Sequence, residues 1–500
     1  MYYPFSMKMR RIALRMAFVA ALICSNVLLT SCSDNDETPG HEDPAVAECT
    51  VIFYGVGGRN LDADIYDNLR QLYRGLREHS DIEAVVFFKT STNPDADMME
   101  KLNEQGFDFH RSTAYRFVVD RNLAETTQLQ FTPDNIYGGE GANINISMAD
   151  TLEHYIRYAA AIRPARHYVL VFNDHGGGYA PQDDRPETLL PKTRGLLYDD
   201  GYNRQCISAR CIRTAIERSG VPLDAIYLDA CLMNCVETLY ELNEVTPYIV
   251  CATYYTPDVG GEYSCLVSRL ANSTTYGQAL KDYCDDVADY WLRCEEAGIN
   301  PGDYDASDIN AISSEQLRTA TPVLKAFIDQ LTLDYGDTQL AQKIDAVTAK
   351  VLANDTEYPI FDLCTYFDNL AEEVPSTALA DAALKAKSDL MKCKLKARGT
   401  KATEKRGLPS FSFMLGAKGS WVELELENHF GRLLSTNEYR WDGTILITKY
   451  ATDGTATNQE YSTWGSTGDD TYAQRRFEKL TGWSRWLKMN KQKPLSQYPE

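Results

Sequence analysis

The sequence predicts an α/β protein with a largely parallel sheet flanked by helices. Three observations support this fold class. Short apolar, β-prone runs recur between residues 49 and 255, amphipathic segments of helical length separate them, and glycine or proline stands at several of the turns. Parallel strands need crossover connections, which helices usually supply, so this alternation favours a layered α/β domain.

The first region, residues 49–274, carries these elements in a regular order. Its first strand, 49–56, runs into Gly57-Gly58-Arg59-Asn60 and then a helix with apolar residues at helical spacing between 65 and 76. The two glycines fit neither the dinucleotide nor the Walker spacing, so they indicate a strand-to-helix turn. Further strands are predicted at 84–89, 114–119, 168–172, 225–228 and 248–252, and helices at 150–162, 206–219 and 236–243.

The pattern changes after residue 274. Residues 275–400 predict a helical region, because apolar residues recur at helical spacing through four long segments. Residues 401–500 predict a mixed region of strands and a final aromatic helix. The helices are expected at 276–294, 314–333, 339–352, 378–394 and 472–487, and the strands at 410–414 and 444–447.

The N-terminus has the features of a secretory signal over residues 1–31. Basic residues between 8 and 15 precede an apolar run, 16–29, that is too short for a comfortable membrane span. The sequence Leu29-Thr30-Ser31-Cys32 resembles the lipobox of bacterial lipoproteins, which predicts a lipidated Cys32, although an ordinary signal with an incidental cysteine is the alternative. Residues 32–48 predict an acidic tether. We therefore expect a body held to the outer membrane or cell surface through its lipid anchor only.

Charge and cysteine usage exclude several classes of protein. A net charge of −21 makes a nucleic-acid partner improbable, because phosphate binding needs a basic surface. Thirteen cysteines are scattered without regular spacing, and two of them, Cys24 and Cys32, belong to the N-terminal segment. This pattern is not that of a disulfide framework or a zinc ribbon, and at least one free thiol is expected.

The strand at 168–172 leads into Asn173-Asp174-His175-Gly176-Gly177-Gly178, which allows three interpretations. An esterase oxyanion loop would need a Gly-x-Ser-x-Gly elbow, and none follows residue 178. A metal site would need partners for His175, such as His167 on the same side of the strand. Alternatively His175 is a general acid/base whose glycines bring backbone N–H groups close to a substrate carbonyl.

A second strand end supplies complementary chemistry. Cys231 follows Asp229-Ala230 directly after the strand at 225–228, 56 residues beyond His175. Caspases place their histidine about 50 residues before the nucleophilic cysteine. A cysteine at such a strand end, before a polar turn and a helix, can have a lowered pKa and an exposed sulfur, whereas a buried core cysteine is the structural alternative. The pair favours a cysteine nucleophile with a histidine proton-transfer partner.

At this point the chain resembles the clostripain family of cysteine peptidases, family C11 of the wider caspase and gingipain group. The matching segments are Thr50–Tyr54 with Asn60-Leu61, Met148–Leu152, Pro164–Tyr168, Asp174–Gly178, Asp229–Met233 with Glu237, and weaker matches at Pro257, Arg406–Leu408 and Thr481–Ser484. The resemblance implies a caspase-like fold, a catalytic dyad of His175 and Cys231, and an oxyanion hole formed by the backbone N–H groups of Gly176 and Cys231.

The resemblance also implies cleavage after Arg or Lys through an acidic pocket, since a carboxylate pairs well with a guanidinium or ammonium group. Asp229 and Asp258 are the candidate pocket residues. Calcium dependence and self-cleavage between the histidine and the cysteine are further family tendencies. Lys192 and Arg194 are the candidate self-cleavage sites, and no loop in the sequence marks a calcium site.

Two departures from the family pattern concern the pocket more than the dyad. Asn234-Cys235 stands where the family usually has glycine after Leu-Met, and the segment after Ala252 lacks the usual serine and acid-rich pattern. The expectation is a lipid-anchored cysteine endopeptidase that needs no cofactor for its chemistry and acts on protein or peptide substrates. The alternatives are a catalytically silent binding lipoprotein and a cysteine peptidase of other specificity, such as cleavage after Asn or Asp.

Overall fold

The computed structural model describes residues 46–121, 144–178, 196–202, 205–353, 361–413, 439–441, 446–450, 456–462, 475–483 and 485. The predicted signal segment, Cys32 and the candidate self-cleavage residues Lys192 and Arg194 lie outside these described residues.

The described strands are β1 (Ala47–Val56), β2 (Ile82–Lys89), β3 (Ala114–Val118), β4 (Ala165–Asn173), β5 (Leu196–Asp199), β6 (Gln205–Ile207), β7 (Ala225–Asp229), β8 (Tyr248–Cys251), β9 (Asp308–Ser313), β10 (Phe361–Asp362), β11 (Lys394–Gly399), β12 (Ser412–Phe413), β13 (Tyr439–Trp441), β14 (Leu446–Tyr450) and β15 (Ala456–Ser462). Eight of them form one central sheet in the order β11-β9-β8-β7-β4-β1-β2-β3. The pairs β2–β1, β1–β4, β4–β7 and β7–β8 are parallel, whereas β3 and β9 run antiparallel to their neighbours β2 and β8. The predicted largely parallel sheet is therefore confirmed.

Helices connect these strands and cover the sheet. They are α1 (Asp62–Glu78), α2 (Ala96–Gln105), α3 (Ala149–Ile162), α4 (Ala209–Ser219), α5 (Val236–Leu242), α6 (Tyr263–Asn272), α7 (Tyr276–Glu296), α8 (Ser314–Asp334), α9 (Thr338–Ala353), α10 (Leu363–Glu373), α11 (Ala378–Met391), α12 (Lys401–Arg406) and α13 (Arg476–Thr481). None of these described helices is long and apolar enough to cross a membrane.

The central strands are apolar throughout because both faces of the sheet are covered. Ile52 and Tyr54 of β1 pack into one hydrophobic cluster, whereas the alternate residues Val51 and Phe53 pack into a second cluster on the other face. This alternation follows from the two-residue repeat of a strand. The two apolar layers hold β1, β4 and β7 side by side, so their carboxyl ends meet at one edge of the sheet.

The region 275–400 differs from its sequence prediction, since it is not wholly helical. β9 and β11 lie within it and extend the central sheet. β9 was missed because its run Asp308–Ser313 is short and half polar, although all six residues are buried. The predicted helix 378–394 ends at Met391, and Lys394 instead begins the strand β11, whose alternating basic residues suit an edge strand.

Two further boundaries also differ. The helix predicted from Cys206 begins at Ala209, because Ser208 caps its N-terminus by accepting a hydrogen bond from the Cys211 N–H. The residues before the cap form the short strand β6. At the N-terminal side, the predicted tether 32–48 overlaps the sheet, since Ala47 and Glu48 are the first two residues of β1.

The described residues include parts of the predicted C-terminal elements. Within the strand expected at 410–414 they contain β12, which pairs with β10, and the strand expected at 444–447 overlaps β14, which lies in a three-stranded sheet with β13 and β15. Within the expected helix 472–487, the described part is α13. The buried Trp483 ring packs 4.4 Å from the Phe413 ring, so this aromatic residue belongs to the core.

Candidate active site

Strand register places His175 and Cys231 at equivalent positions beyond two neighbouring strands. β4 and β7 are parallel, and Asn173 pairs with Asp229 at their carboxyl ends. His175 follows Asn173 by two residues, and Cys231 follows Asp229 by two residues. The imidazole and the thiol therefore leave the sheet at the same level of the same edge, as the sequence predicts.

Gly176 brings the two chain segments into direct backbone contact. A β-carbon at this position would lie 2.2 Å from the Cys231 carbonyl oxygen and 3.0 Å from the Cys231 nitrogen, so only glycine allows the approach. Gly176 also forms an isolated antiparallel backbone bridge with Leu196 of β5. The two predicted oxyanion-hole donors are thus held close together.

The Cys231 thiol contacts the loop that follows β8. The Thr256 N–H donates to Cys231 Sγ at 3.5 Å, and Sγ lies 3.7 Å from the Thr256 carbonyl oxygen. The next residue, Leu232, has φ 64°, a left-handed conformation that is energetically unfavourable for leucine. Its N–H donates to the Tyr254 carbonyl at 2.7 Å, which holds this turn in place.

The pKa of the Cys231 thiol is raised, not lowered as its place at a strand end predicts. Burial raises the pKa of Cys231 to about 12, the Thr256 N–H opposes this rise, and the carboxylates of Asp258 and Asp229 add to it. A thiol with this pKa is almost entirely neutral at pH 7. The arrangement therefore suits proton transfer from sulfur to a base in step with attack, rather than a thiolate formed beforehand.

His175 is oriented by contacts to its backbone and to its ring. Its ring nitrogen Nε2 lies 2.8 Å from Asn60 Oδ1, and its backbone N–H donates to Asp174 Oδ1 at 2.5 Å. The ring also meets the Tyr198 ring edge-on, with 6.2 Å between centroids. In the sequence, Asn60 stands out only as part of a segment that matches the family. Its position just after the first strand was the one feature that could have indicated a site residue.

Asp174 has a structural role beside His175. Its carboxylate is buried and accepts from the backbone N–H groups of both His175 and Tyr198. Burial raises its pKa well above the ordinary value, although those two hydrogen bonds oppose the rise. Asp174 thus ties the histidine segment to the strand β5, and its oxygens are occupied by backbone donors.

Asp229, the first candidate pocket residue, is a buried acceptor in a neutral network. Its Oδ2 accepts from the Tyr263 hydroxyl at 2.6 Å, the Gly261 N–H at 2.8 Å and the Asn173 side chain at 3.2 Å. Only 3% of the residue is exposed. Burial raises the pKa of Asp229 while the Tyr263 and Gly261 donors oppose the rise, and none of the three donors carries a positive charge.

Asp258, the second candidate, lies in the turn that leads from Pro257 to Gly260. The Gly260 N–H closes this turn on the Pro257 carbonyl at 2.8 Å. Asp258 is half-buried, and burial raises its pKa, whereas the charge of Lys101 and a hydrogen bond from the Asn60 side chain lower it. The two pocket candidates therefore differ: Asp229 is deep and has only neutral donors, and Asp258 is shallower and already faces a cation.

A metal site does not emerge from the described residues. No group of three or more His, Cys, Asp or Glu side chains is arranged there to hold a metal ion. His167, the partner considered for a metal at His175, instead pairs with Asp224 at 3.1 Å and Glu48 at 3.7 Å, toward the start of β4. No calcium ligand is assigned among these residues, and no chemical step below depends on calcium.

A family model and a known relative both indicate the same protein family. The model of the clostripain family, peptidase C11, matches residues 60–386, more than half of the chain. Clostripain of Hathewaya histolytica is 23% identical over 198 residues, which cover 38% of this chain and 35% of clostripain. The match thus spans about a third of that relative's length.

Two solved structures are also similar. The secreted C11 cysteine protease iotapain of Bacteroides thetaiotaomicron is 14% identical, with a TM-score of 0.49 over 89% of this chain and 100% of that chain. An inactive zymogen C11 protease of Parabacteroides distasonis is 15% identical, with a TM-score of 0.48 over 90% of this chain and 99% of that chain.

Proposed function

The chain belongs to the clostripain family of cysteine peptidases, and from this premise we propose that it is a lipid-anchored endopeptidase that cleaves after Arg or Lys with Cys231 and His175. The observation that carries the proposal is the direct contact between the two strand ends. Gly176 lies against the Cys231 backbone, and His175 and Cys231 each follow a paired strand end by two residues, which supports a site with a nucleophile, a base and two amide donors.

In the proposed mechanism, Cys231 Sγ forms a bond to the scissile carbonyl carbon while the thiol proton passes to His175. The carbonyl oxygen becomes an oxyanion that accepts from the Gly176 and Cys231 N–H groups. His175 then gives its proton to the leaving amine as the C–N bond breaks, which leaves a thioester on Cys231. Water attacks this thioester while His175 removes a water proton, and the proton returns to sulfur as the acid product leaves.

The specificity proposal rests on the charge of the pocket. Asp229 is a buried carboxylate whose donors are neutral, so a guanidinium or ammonium group from the substrate would supply the missing counter-charge. Asp258 provides a second carboxylate nearer the surface. A substrate with a neutral side chain before the scissile bond would leave the Asp229 carboxylate uncompensated, which disfavours its cleavage.

A positional-scanning peptide library tests activity and specificity together. We expect hydrolysis after Arg and Lys, and none from a Cys231→Ala control prepared in parallel. Cleavage after Asn or Asp alone would overturn the pocket assignment and leave a cysteine peptidase of other specificity. Absence of any Cys231-dependent hydrolysis would favour the catalytically silent binding lipoprotein.

The anchor and the location are proposed from the N-terminal sequence. The segment Leu29–Cys32 supports lipidation at Cys32, and the acidic residues after it suit a tether at the outer membrane or cell surface. Growth with an alkyne fatty acid should label the wild-type protein and not a Cys32→Ser variant. A wild-type protein that stays unlabelled and leaves the membrane fraction would contradict the anchor.

Self-cleavage is proposed at Lys192 or Arg194. Both are basic residues between the histidine and the cysteine, which suits an enzyme that cuts after Arg or Lys. Mass spectrometry of the purified protein should find a new terminus after one of them, and the Cys231→Ala protein should remain intact. Full activity of an uncut wild-type chain would count against a processing requirement.

A further inference from the structure

Asn60 contacts the proposed base from a third segment of the chain. It follows the end of β1 by four residues, and its Oδ1 lies 2.8 Å from His175 Nε2. A short side chain from outside the two catalytic strand ends thus meets the imidazole of the dyad. The family resemblance and the sequence pattern assign Asn60 no such role.

The Asn60 contact determines which ring nitrogen of His175 carries hydrogen. Asn60 Oδ1 faces Nε2, and an amide oxygen only accepts hydrogen bonds, so Nε2 must be the donor. The ring is therefore held in the tautomer with hydrogen on Nε2, and Nδ1 is the basic nitrogen.

The turn that carries Asn60 is strained and closely supported. Gly58 has φ 56° and Arg59 has φ 92°, a left-handed conformation that an arginine rarely adopts. A β-carbon on Gly58 would lie 2.4 Å from Asp174 Oδ1 and 2.8 Å from His175 Cδ2, so the turn is pressed against the histidine segment. This approach brings Asn60 within hydrogen-bond distance of the ring.

Hydrogen bonds from a neighbouring strand end hold this turn in its strained shape. The Arg59 N–H donates to Ser91 Oγ at 2.7 Å, and the Ser91 hydroxyl in turn donates to the buried Asp62 carboxylate at 2.6 Å. The Ser91 N–H donates to the same carboxylate at 2.9 Å. Backbone strain that is supported in this way is typical of residues placed for function.

We propose that Asn60 is a positioning residue that fixes the tautomer and orientation of His175. The proposal rests on the proposed function, since it assigns His175 the role of base. Asn60 acts through His175 and does not touch the scissile bond. Its loss should therefore lower the rate of the chemical step and leave substrate binding nearly unchanged.

The first test separates kcat from KM in Asn60→Ala, measured on the best peptide found for the wild type. We expect kcat to fall about 10- to 100-fold, the size typical of a misplaced catalytic group, and KM to change less than threefold. Arg59→Ala is the matched control, because it removes the exposed ion pair with Asp95 from the same turn without touching His175. An Asn60→Ala enzyme with unchanged kcat would overturn the proposal.

A substrate-free measurement separates failure of this inference from failure of the proposed function. Nitrogen NMR of histidine-labelled Cys231→Ala protein should show the His175 ring with its proton on Nε2, and Asn60→Ala in the same background should lose that preference. A wild type that cleaves no peptide but shows this tautomer would overturn the proposed function and leave the positioning contact standing. A ring with its proton on Nδ1 would overturn the inference itself.

Discussion

The strand ends of β4 and β7 and the loop after β8 both contribute to the site, but they are held by different forces. His175 and Cys231 are placed by strand register and by the backbone contact at Gly176. The loop is held by a buried carboxylate instead, since the Thr253 and Tyr254 N–H groups donate to Asp308 at distances between 2.6 and 3.1 Å. Backbone geometry thus sets the reacting groups, whereas a buried charge shapes the pocket side.

This difference divides the expected effects of substitution. Changes at the strand ends should act on kcat, because they move the reacting groups relative to one another. Changes that reach the loop should act on KM and on side-chain preference, because the loop carries Asp258 and abuts Asp229 through Gly261.

The largest effect should come from the dyad. Cys231→Ala or His175→Ala should each lower kcat/KM by about 10⁴-fold or more, since removal of a nucleophile or its base leaves only binding and oxyanion stabilisation. Initial rates on the same peptide measure this loss, and circular dichroism confirms that each variant is folded. Substantial activity in a folded Cys231→Ala protein would place the nucleophile elsewhere.

The next effect concerns the protonation state of the free thiol. Burial raises the pKa of Cys231 from an ordinary value near 9 to about 12, so at pH 7 about a thousandfold less thiolate is present than for a thiol of ordinary pKa. Alkylation of Cys231 by iodoacetamide, followed by mass spectrometry, should accelerate steadily as the pH rises through 9 and 10. A rate that levels off below pH 8 would indicate a thiolate formed beforehand.

A third effect tests the backbone contact. Gly176→Ala should lower kcat about 100-fold, because its β-carbon would separate the two oxyanion-hole segments. Gly220→Ala is the control: it has open space around it but φ 69°, so it should cost about 1 kcal/mol of stability and leave kcat unchanged. Wild-type kcat in Gly176→Ala would show that the close approach has no catalytic role.

The two pocket carboxylates should differ in their effect on specificity. Asp229→Asn should lower kcat/KM for Arg substrates about 100-fold relative to neutral ones, because a buried charge pair is lost. Asp258→Asn should lower this kcat/KM ratio only about tenfold, since the positive charge of Lys101 already partly neutralises the Asp258 carboxylate. Profiling both variants with the same peptide library gives the order, and a reversed order would make Asp258 the main pocket residue.

The smallest effect should come from the support of the loop. Asp308→Asn leaves the dyad in place but weakens the acceptor of the Thr253 and Tyr254 N–H groups. KM should rise about tenfold, in line with the loss of one or two charge-assisted hydrogen bonds, while kcat stays within a factor of two or three. Asp305→Asn, an exposed neighbour, should change neither. A fall in kcat alone would mean that the loop also positions the dyad.

The same division explains what the sequence could and could not predict. The α/β class and the strands carrying His175 and Cys231 are local patterns, and the carboxyl ends of parallel strands meet by geometry, so both follow from the sequence. The sequence does not predict that Asp308 supports the loop. Its strand β9 is short and half polar, and it lies within a region whose pattern predicts helices. The contact between Asn60 and His175 depends on a strained turn, and a turn of this kind leaves no periodic pattern in the sequence.

The most direct test of the central claim is labelling by a covalent peptide probe with Arg next to its reactive group. The account predicts one adduct, located by peptide mass spectrometry on Cys231. The adduct should be absent in Cys231→Ala, strongly reduced in His175→Ala, and suppressed by an excess of Arg-containing peptide but not by the matching peptide with Asn. A wild type that stays unlabelled, or an adduct on one of the other cysteines, would contradict the account.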